Sequence, residues 1–258
     1  MEKLFSIQDL TFAYGDRPIL KHLNLDVKKG KVTTIIGSNG CGKSTLFSLM
    51  TKNLKPLGGK ILLKNTNISD ISLKAYAKEV AIVHQYNKAP DDLTVEALVE
   101  YGRTPYRKLT GSIDETVDRQ MVLRAMKITG TYPFKDKYVS ELSGGQRQRV
   151  WIAMALAQGT DTIFLDEPTT YLDIRYQLQL LRLIKALNEK YKTSIIMVLH
   201  DINQAINYSD EIIALSKEGE VVVQGAPSDV ITTEALKKVY GIDLPVKYHN
   251  DKPYALMF

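Results

Sequence analysis

The stretch "GSNGCGKST", from Gly37 to Thr45, places three glycines and one lysine within a short segment. Glycine reaches backbone conformations with positive φ that other residues avoid, so several N–H groups of such a loop can point at one anion. The spacing Gly37-x4-Gly42-Lys43-Ser44 also matches the G-x-x-x-x-G-K-[ST] pattern of phosphate-binding loops. A cluster of phosphates is therefore the predicted ligand of this segment.

The residues on either side of the loop supply the context that the pattern requires. The apolar run "VTTIIG", after Lys31, predicts a buried strand, and "STLFSLM" predicts the start of a helix. We expect Lys43 to neutralise the β and γ phosphates of a nucleotide and Ser44 to ligate Mg²⁺. The residues expected to contact the nucleotide here are Gly37, Ser38, Asn39, Gly40, Cys41, Gly42, Lys43, Ser44 and Thr45.

A second segment, "TIFLDEPTT", predicts a buried strand that ends in two adjacent carboxylates, Asp166 and Glu167. A carboxylate at the carboxyl edge of a parallel sheet lies where ligands bind, so Asp166 can help to hold Mg²⁺. We expect Glu167 to orient and polarise the attacking water. The alternative is that the two carboxylates only cap the N-terminus of a following helix.

Length and composition exclude several classes of protein. The chain has 258 residues, of which 44% are hydrophobic, enough for one large α/β domain. A single cysteine excludes an internal disulfide and is typical of a reducing cytoplasm. We expect neither a signal peptide nor a membrane span. The formal charge of +5 is a mild excess that solubility explains, and no pattern of residues predicts a nucleic-acid partner.

The order of predicted elements indicates an α/β fold with a parallel sheet. Short antiparallel strands come first, a helical insert follows between Val95 and Gln158, and the sheet resumes at "TIFLD" and "TSIIMVL". After "EVVVQGAP" we predict a last helix, "TEALKKVY", closed by Gly241, and then an edge segment. Apolar residues at helical spacing predict the buried face of one long helix: Ile174, Leu178, Leu181, Ile184, Leu187 and Tyr191.

A third motif, "LSGGQRQRV" from Leu142 to Val150, resembles the signature of the ATP-binding cassette ATPases. Other motifs follow in that family's order, and the resemblance extends roughly from Leu4 to Gly241. It implies a P-loop NTPase fold of the ABC ATPase type, with a RecA-like parallel sheet core, an antiparallel β subdomain and an inserted helical subdomain. The further matching residues are Tyr14 in "FAYG", Gln85 in "VHQYN", Asp173 ending "YLD" and His200 in "VLHD".

The resemblance also implies roles for these residues. Tyr14 stacks on adenine, with filling of the strand's apolar face as the alternative, and Gln85 contacts the metal ion or the attacking water. His200 hydrogen-bonds the γ-phosphate and the attacking water. The start of the signature helix reaches the ATP of a partner chain across a dimer interface, through Ser143, Gly144 and Gly145, and Gln146 and Asp173 are also expected to contact nucleotide.

One nucleotide-binding domain, 1–258, is implied by the resemblance. Its catalytic core with the antiparallel β subdomain covers 1–86 and 159–226, its helical signature subdomain 87–158 and its C-terminal extension 227–258.

Three longer segments, "VEALVEYGRTPYR", "TTYLDIRYQLQLL" and "LHDINQAINYSD", are similar to ATPase subunits of bacterial importers of iron–siderophore chelates. Haem and cobalamin importers are the close alternatives. The resemblance implies a homodimer at the cytoplasmic face of the membrane, an integral membrane permease, and an extracytoplasmic substrate-binding protein that acts through the permease. A soluble cassette ATPase of iron–sulfur assembly or DNA repair, or a scaffold that does not use nucleotide, are the competing hypotheses.

The cysteine inside the loop suggests one more hypothesis. Small residues other than cysteine are common in the family at the position of Cys41. If the thiol lies beside the bound phosphates, we expect it to be alkylated with loss of activity, and to be protected by MgATP.

Overall fold

A computed structural model describes residues 2–107, 115–250 and 252–256. The chain divides into two compact units, the first formed by 1–71 and 194–258 and the second by 72–193. Each unit is described by itself. None of the helices in the described part of the chain combines the length and apolar character needed to cross a membrane.

Helices and strands alternate along most of the chain. The strands are β1 (Lys3–Tyr14), β2 (Arg17–Lys28), β3 (Val32–Gly37), β4 (Gly58–Leu63), β5 (Thr66–Asn67), β6 (Val80–Val83), β7 (Thr162–Asp166), β8 (Ser194–Val198), β9 (Glu211–Leu215), β10 (Val221–Gly225), β11 (Val246–His249) and β12 (Lys252–Ala255). The α-helices are α1 (Lys43–Met50), α2 (Leu73–Tyr76), α3 (Val95–Glu100), α4 (Glu115–Thr129), α5 (Gly144–Ala157), α6 (Ile174–Tyr191), α7 (Ile202–Tyr208), α8 (Pro227–Val230) and α9 (Thr233–Tyr240).

The first unit contains an antiparallel sheet in the order β2-β1-β4-β5. Leu23, Leu25 and Val27 point to the buried face of β2, and the residues between them are exposed or half-buried. This alternation has the two-residue period of a sheet with one covered face. The predicted antiparallel, half-solvated strands are thus confirmed.

The same unit contains a run of strands ordered β10-β9-β3-β8. Strand β3 pairs in parallel with β8 on one side and β9 on the other, and all six of its residues are buried. A continuous apolar strand is what a parallel sheet covered on both faces requires. Because β3 and β8 are parallel neighbours, their carboxyl ends bring Gly37 and the segment leading to His200 to one edge of this sheet.

The C-terminal part of the first unit contains α8, α9 and a hairpin. Helix α9 ends at Gly241, whose φ of 74° lies in the left-handed region, as predicted for the closing glycine. Strands β11 and β12 pair in antiparallel fashion from Val246 with Ala255 to His249 with Lys252. The predicted edge segment is therefore a hairpin.

The second unit joins a parallel strand pair to a helical region. Strands β6 and β7 pair from Val80 with Thr162 to Val83 with Leu165. Helices α3, α4 and α5 lie between these two strands in the sequence and pack against one another, which confirms the helical insert. Arg103 is buried in this region, where its Nε donates to Asp118 at 2.7 Å and Nη1 to the Ala157 carbonyl at 2.8 Å. A buried charge needs such pairing to offset its desolvation.

The buried face predicted for α6 is wrong at both ends. Ile174 is 76% exposed and Tyr191 is 36% exposed, while Leu180 and Asn188 are buried. Asn188 is held there because its side-chain amide donates to the Thr193 carbonyl at 2.8 Å. Ile174, in the first turn of α6, faces solvent in this chain, so it follows the helical spacing of the buried residues without another element to cover it.

Candidate functional site

The glycine-rich loop joins β3 to α1 in the first unit, as the sequence predicts. Gly40 and Gly42 have φ angles of 78° and 101°, in the region that L side chains rarely adopt. A Cβ on Gly42 would also lie 2.8 Å from Leu20 Cδ2, so both conformation and space demand glycine. Gly42 is the N-cap of α1 and offers no side-chain cap, which leaves the first-turn amides able to bind an anion.

Lys43 holds the loop together. It is 5% exposed, and its Nζ donates to the carbonyls of Gly37 and Ser38, each at 2.9 Å. An ammonium has three N–H donors, so one remains for a ligand. Within the described residues, the buried Ser38 hydroxyl has no hydrogen-bond partner. An orphaned hydroxyl, a spare ammonium proton and uncapped amides fit a phosphate group.

The other loop residues differ in exposure. Asn39 and Ser44 are exposed and Thr45 is buried. The Ser44 hydroxyl is therefore accessible to a cation that also binds the phosphates. A hydroxyl oxygen is one of the oxygen ligands that Mg²⁺ uses.

Cys41 does not lie where the sequence hypothesis put it. The side chain is 1% exposed, and its Sγ lies 2.6 Å from the position that a Cβ on Gly37 would occupy. Burial raises the pKa of the thiol, because desolvation disfavours the thiolate more than the nearby Lys43 favours it. The expectation of a reactive thiol beside the phosphates is therefore corrected: the thiol is turned into the protein.

Two more predicted residues belong to the first unit. Tyr14 ends β1, is 54% exposed and packs edge-to-face against Phe12 with 5.0 Å between ring centroids. His200 follows β8 and is exposed. The next residue, Asp201, caps α7 by accepting a hydrogen bond from the Gln204 amide at 2.9 Å. His200 thus lies between a buried strand and a capped helix.

The second unit brings together Gln85 and Glu167, which are far apart in the sequence. The Gln85 amide donates to Glu167 Oε2 at 2.6 Å, and the Thr170 hydroxyl lies 3.2 Å from the same oxygen. Glu167 has a φ of 46°, a left-handed conformation that costs about 1–3 kcal/mol and is common at functional sites. Asp166 precedes it as the last residue of β7.

The signature residues begin helix α5 as predicted. Ser143 is its N-cap, and Ser143 and Gln146 form a capping box in which each side chain accepts a hydrogen bond from the other's backbone amide. A Cβ on Gly145 would lie 2.6 Å from Tyr176 Cδ1, whereas one on Gly144 would only touch Leu172 at 3.8 Å. Gly145 therefore lets the first turn of α6 pack closely on α5.

Asp173 caps the neighbouring helix. Its Oδ1 accepts a hydrogen bond from the Tyr176 amide at 3.0 Å, so within this chain it acts as the N-cap of α6.

Besides the contact between Gln85 and Glu167, sequence reasoning missed two more contacts in this unit. Thr170 reaches Glu167, and the hydroxyls of Tyr86 and Tyr171 lie 2.8 Å apart although both side chains are exposed. The Thr170 contact spans three residues of a turn. The tyrosine contact joins the segment after Gln85 to the segment before Asp173, and nothing in the sequence signals it.

Comparison with known proteins gives concordant matches. The family model described as ABC transporter matches residues 20–170. The iron(3+)-hydroxamate import ATP-binding protein FhuC of Bacillus subtilis is 43% identical over 98% of this chain and 94% of its own length. The petrobactin import ATP-binding protein FpuD of Bacillus anthracis is 44% identical over 95% of this chain and 89% of its own.

A third relative and two solved structures agree with these matches. The ferric enterobactin transport ATP-binding protein FepC of Escherichia coli is 41% identical over 91% of this chain and 86% of its own length. A chain of an inward-facing, metal-chelate type ABC transporter superposes with a TM-score of 0.83 at 26% identity. This match covers 98% of the present chain and 96% of the transporter chain. A dimeric ATP-binding cassette bound to ADP and Pi superposes with a TM-score of 0.74 at 31% identity. This match covers 86% of the present chain and 98% of the cassette.

Proposed function

Because the chain belongs to the ABC transporter family, as an ATPase that energises transport, we propose that it drives uptake of iron–siderophore complexes through a bacterial importer. The observation that carries the proposal is that relatives from three species, each at least 41% identical over at least 91% of this chain, are named for import of iron(3+)-hydroxamate, petrobactin or ferric enterobactin. These names favour siderophores over the haem and cobalamin alternatives.

The first step is binding of ATP. The backbone amides at the start of α1 and the remaining Lys43 proton bind the phosphates, and the exposed Tyr14 ring stacks on adenine. Ser44 and Asp166 would hold Mg²⁺, which neutralises charge on the β and γ phosphates when bound. The donor set supports this assignment, because a hydroxyl and a carboxylate are the oxygen ligands that Mg²⁺ prefers.

The second step is hydrolysis. Glu167 accepts the proton of the attacking water and Gln85 orients the carboxylate, a role that the 2.6 Å contact between them supports. His200 donates a hydrogen bond to the γ-phosphate. Thr170 supports the Glu167 carboxylate from the other side of the turn.

The transport function requires partners. We infer a homodimer in which Ser143, Gly144, Gly145, Gln146 and Asp173 of one chain face the ATP bound by the other, at the cytoplasmic face of the membrane. An integral permease carries the chelate, and an extracytoplasmic binding protein delivers it to the permease. Dimerisation on ATP and separation after hydrolysis would drive the permease between its states.

Uptake of radioactive iron by a strain that lacks the gene tests the proposal. Cells receive ⁵⁵Fe on a hydroxamate, on a catecholate and on citrate, with ⁵⁵Fe-labelled haem and cobalt-labelled cobalamin as control cargo. We expect the wild-type gene to restore uptake of at least one siderophore, and the Glu167→Gln and Lys43→Ala variants to restore none. Restored uptake of haem or cobalamin alone, or full uptake with Lys43→Ala, would contradict the proposal.

A further inference from the structure

Two exposed tyrosines of the second unit meet beside the contact between Gln85 and Glu167. The hydroxyls of Tyr86 and Tyr171 lie 2.8 Å apart, and the rings are tilted by 44° with 6.0 Å between their centroids. Tyr86 is 68% exposed and Tyr171 is 79% exposed. Burial therefore contributes little to this pair, and the ring contact and the hydrogen bond are what hold the two side chains together.

The segment that contains Tyr86 contacts the turn that contains Glu167 at two consecutive residues. The first is Gln85, whose amide donates to Glu167 Oε2 at 2.6 Å. The second is Tyr86, which reaches Tyr171 later in the same turn. Because the peptide group between Gln85 and Tyr86 is planar and stiff, fixing one of these residues restricts the position of the other.

Tyr171 is held in place by its own turn. Its φ of 63° lies in the left-handed region, which a tyrosine keeps only where the surrounding structure imposes it. The Gln177 side-chain amide helps to impose it by donating to the carbonyls of Leu172 at 2.9 Å and Thr169 at 3.3 Å, on either side of Tyr171. The same turn begins with Glu167, so Tyr171 and the carboxylate belong to one restrained stretch of chain.

The segment on the other side of the contact is restrained as well. The Asn87 side-chain amide donates to the His84 carbonyl at 2.5 Å, which closes a turn around Gln85 and Tyr86. Hydrogen bonds within each segment thus limit its shape. The bond from Gln85 to the carboxylate and the bond between the tyrosine hydroxyls then limit how far the two segments can separate.

We propose that Tyr86 and Tyr171 form a clasp that positions the Gln85 amide on Glu167. The proposal rests on the proposed function, because it takes Glu167 to be the group that accepts the proton of the attacking water. A base works only within hydrogen-bond reach of that proton, so a small displacement of the group that orients it lowers the rate. The two tyrosines are positioning residues, which act through Gln85.

Removal of either hydroxyl should slow hydrolysis and leave ATP binding unchanged. Tyr86→Phe and Tyr171→Phe keep both rings and lose the same bond, so each should lower kcat about two- to threefold at wild-type KM for ATP, the effect of one weak, exposed hydrogen bond. The double variant should equal either single variant, because one bond can be lost only once. In a Gln85→Ala chain, Tyr86→Phe should cause no further fall in kcat.

Steady-state ATPase measurements on the full chain, reconstituted with its permease in vesicles, test the proposal. Tyr248→Phe is the matched control, because Tyr248 is 60% exposed and lies in β11 of the first unit. The control should keep wild-type kcat and KM. Tyr86→Ala also removes the ring contact and should therefore lower kcat further than Tyr86→Phe does. Thermal unfolding verifies that every variant is folded.

Wild-type kcat for both Tyr86→Phe and Tyr171→Phe would overturn the proposal. So would losses that multiply in the double variant, or a Tyr86→Phe effect of the same size in the Gln85→Ala chain. Glu167→Gln separates this proposal from the proposed function. A slow Glu167→Gln beside wild-type-like tyrosine variants would remove only the clasp, whereas wild-type turnover by Glu167→Gln would remove the base itself. The uptake of siderophore iron tests the cargo independently of both.

Discussion

Substitution of Gly145 by alanine tests how closely α5 and α6 must pack. The new Cβ would lie 2.6 Å from Tyr176 Cδ1, 2.7 Å from Cγ and 3.1 Å from Cβ. The Tyr176 Cβ is fixed to the backbone and keeps its 3.1 Å contact in every rotamer, so rotation of the ring alone cannot restore ordinary contact distances. Ordinary carbon contacts are about 3.5–4.0 Å, so the two helices must move apart by up to about 1 Å.

Two opposing effects set the expected change in the unfolding free energy of Gly145→Ala. Overpacking of a tight contact costs about 1–3 kcal/mol. Replacement of glycine by alanine within a helix stabilises the helix by at most about 1 kcal/mol. The expected net loss of unfolding free energy is therefore about 1–2 kcal/mol, or a fall in Tm of about 2–6 °C. Gly144→Ala is the matched control, because its Cβ would meet only Leu172 at 3.8 Å.

Thermal and urea unfolding of both variants measure the difference, and a double-mutant cycle with Tyr176→Ala assigns it to the contact. The cycle should give a coupling of about 1 kcal/mol, because removal of the ring relieves the overpacking. A Gly145→Ala chain as stable as Gly144→Ala, or a coupling near zero, would refute the reasoning.

Three further outcomes are expected. Glu167→Gln should keep ATP binding but slow phosphate release by about two orders of magnitude or more, as expected when a positioned base is lost, and near-normal turnover would remove Glu167 from this role. Native Cys41 should react with maleimide far more slowly than the same thiol in urea, because it is 1% exposed and its pKa is raised; rapid native labelling would place it at the surface. Gly42→Ala should lower the unfolding free energy by about 1–2 kcal/mol more than Gly40→Ala, because both positions have positive φ but only Gly42 also lacks space for a Cβ; equal losses by urea unfolding would contradict this.

Local features of the fold followed well from the sequence. The buried strand before Gly37, the helix after it and the capped start of α5 depend on residues close together in the chain, so spacing and residue type were sufficient. The exposure of Ile174 could not be foreseen, because helical spacing says which residues share a face and not whether another element covers it.

Contacts between distant segments account for what the sequence could not predict. Gln85 meets Glu167, and Asn203 meets Ala255, only because the chain folds these segments together. The inward turn of Cys41 likewise depends on the space beside Gly37, which no local pattern encodes. The motifs predicted which residues form the candidate site, and the tertiary structure was needed to find their partners.

The internal bonds of Lys43 have a thermodynamic consequence. Two loop carbonyls are tied to its ammonium group by hydrogen bonds within the chain itself, and these bonds restrain the backbone of the loop. Little backbone freedom remains to be lost on association, and most of the interaction energy can appear as affinity. Calorimetry should accordingly register a small ordering entropy for this segment, with solvent release from the phosphates as the larger contribution.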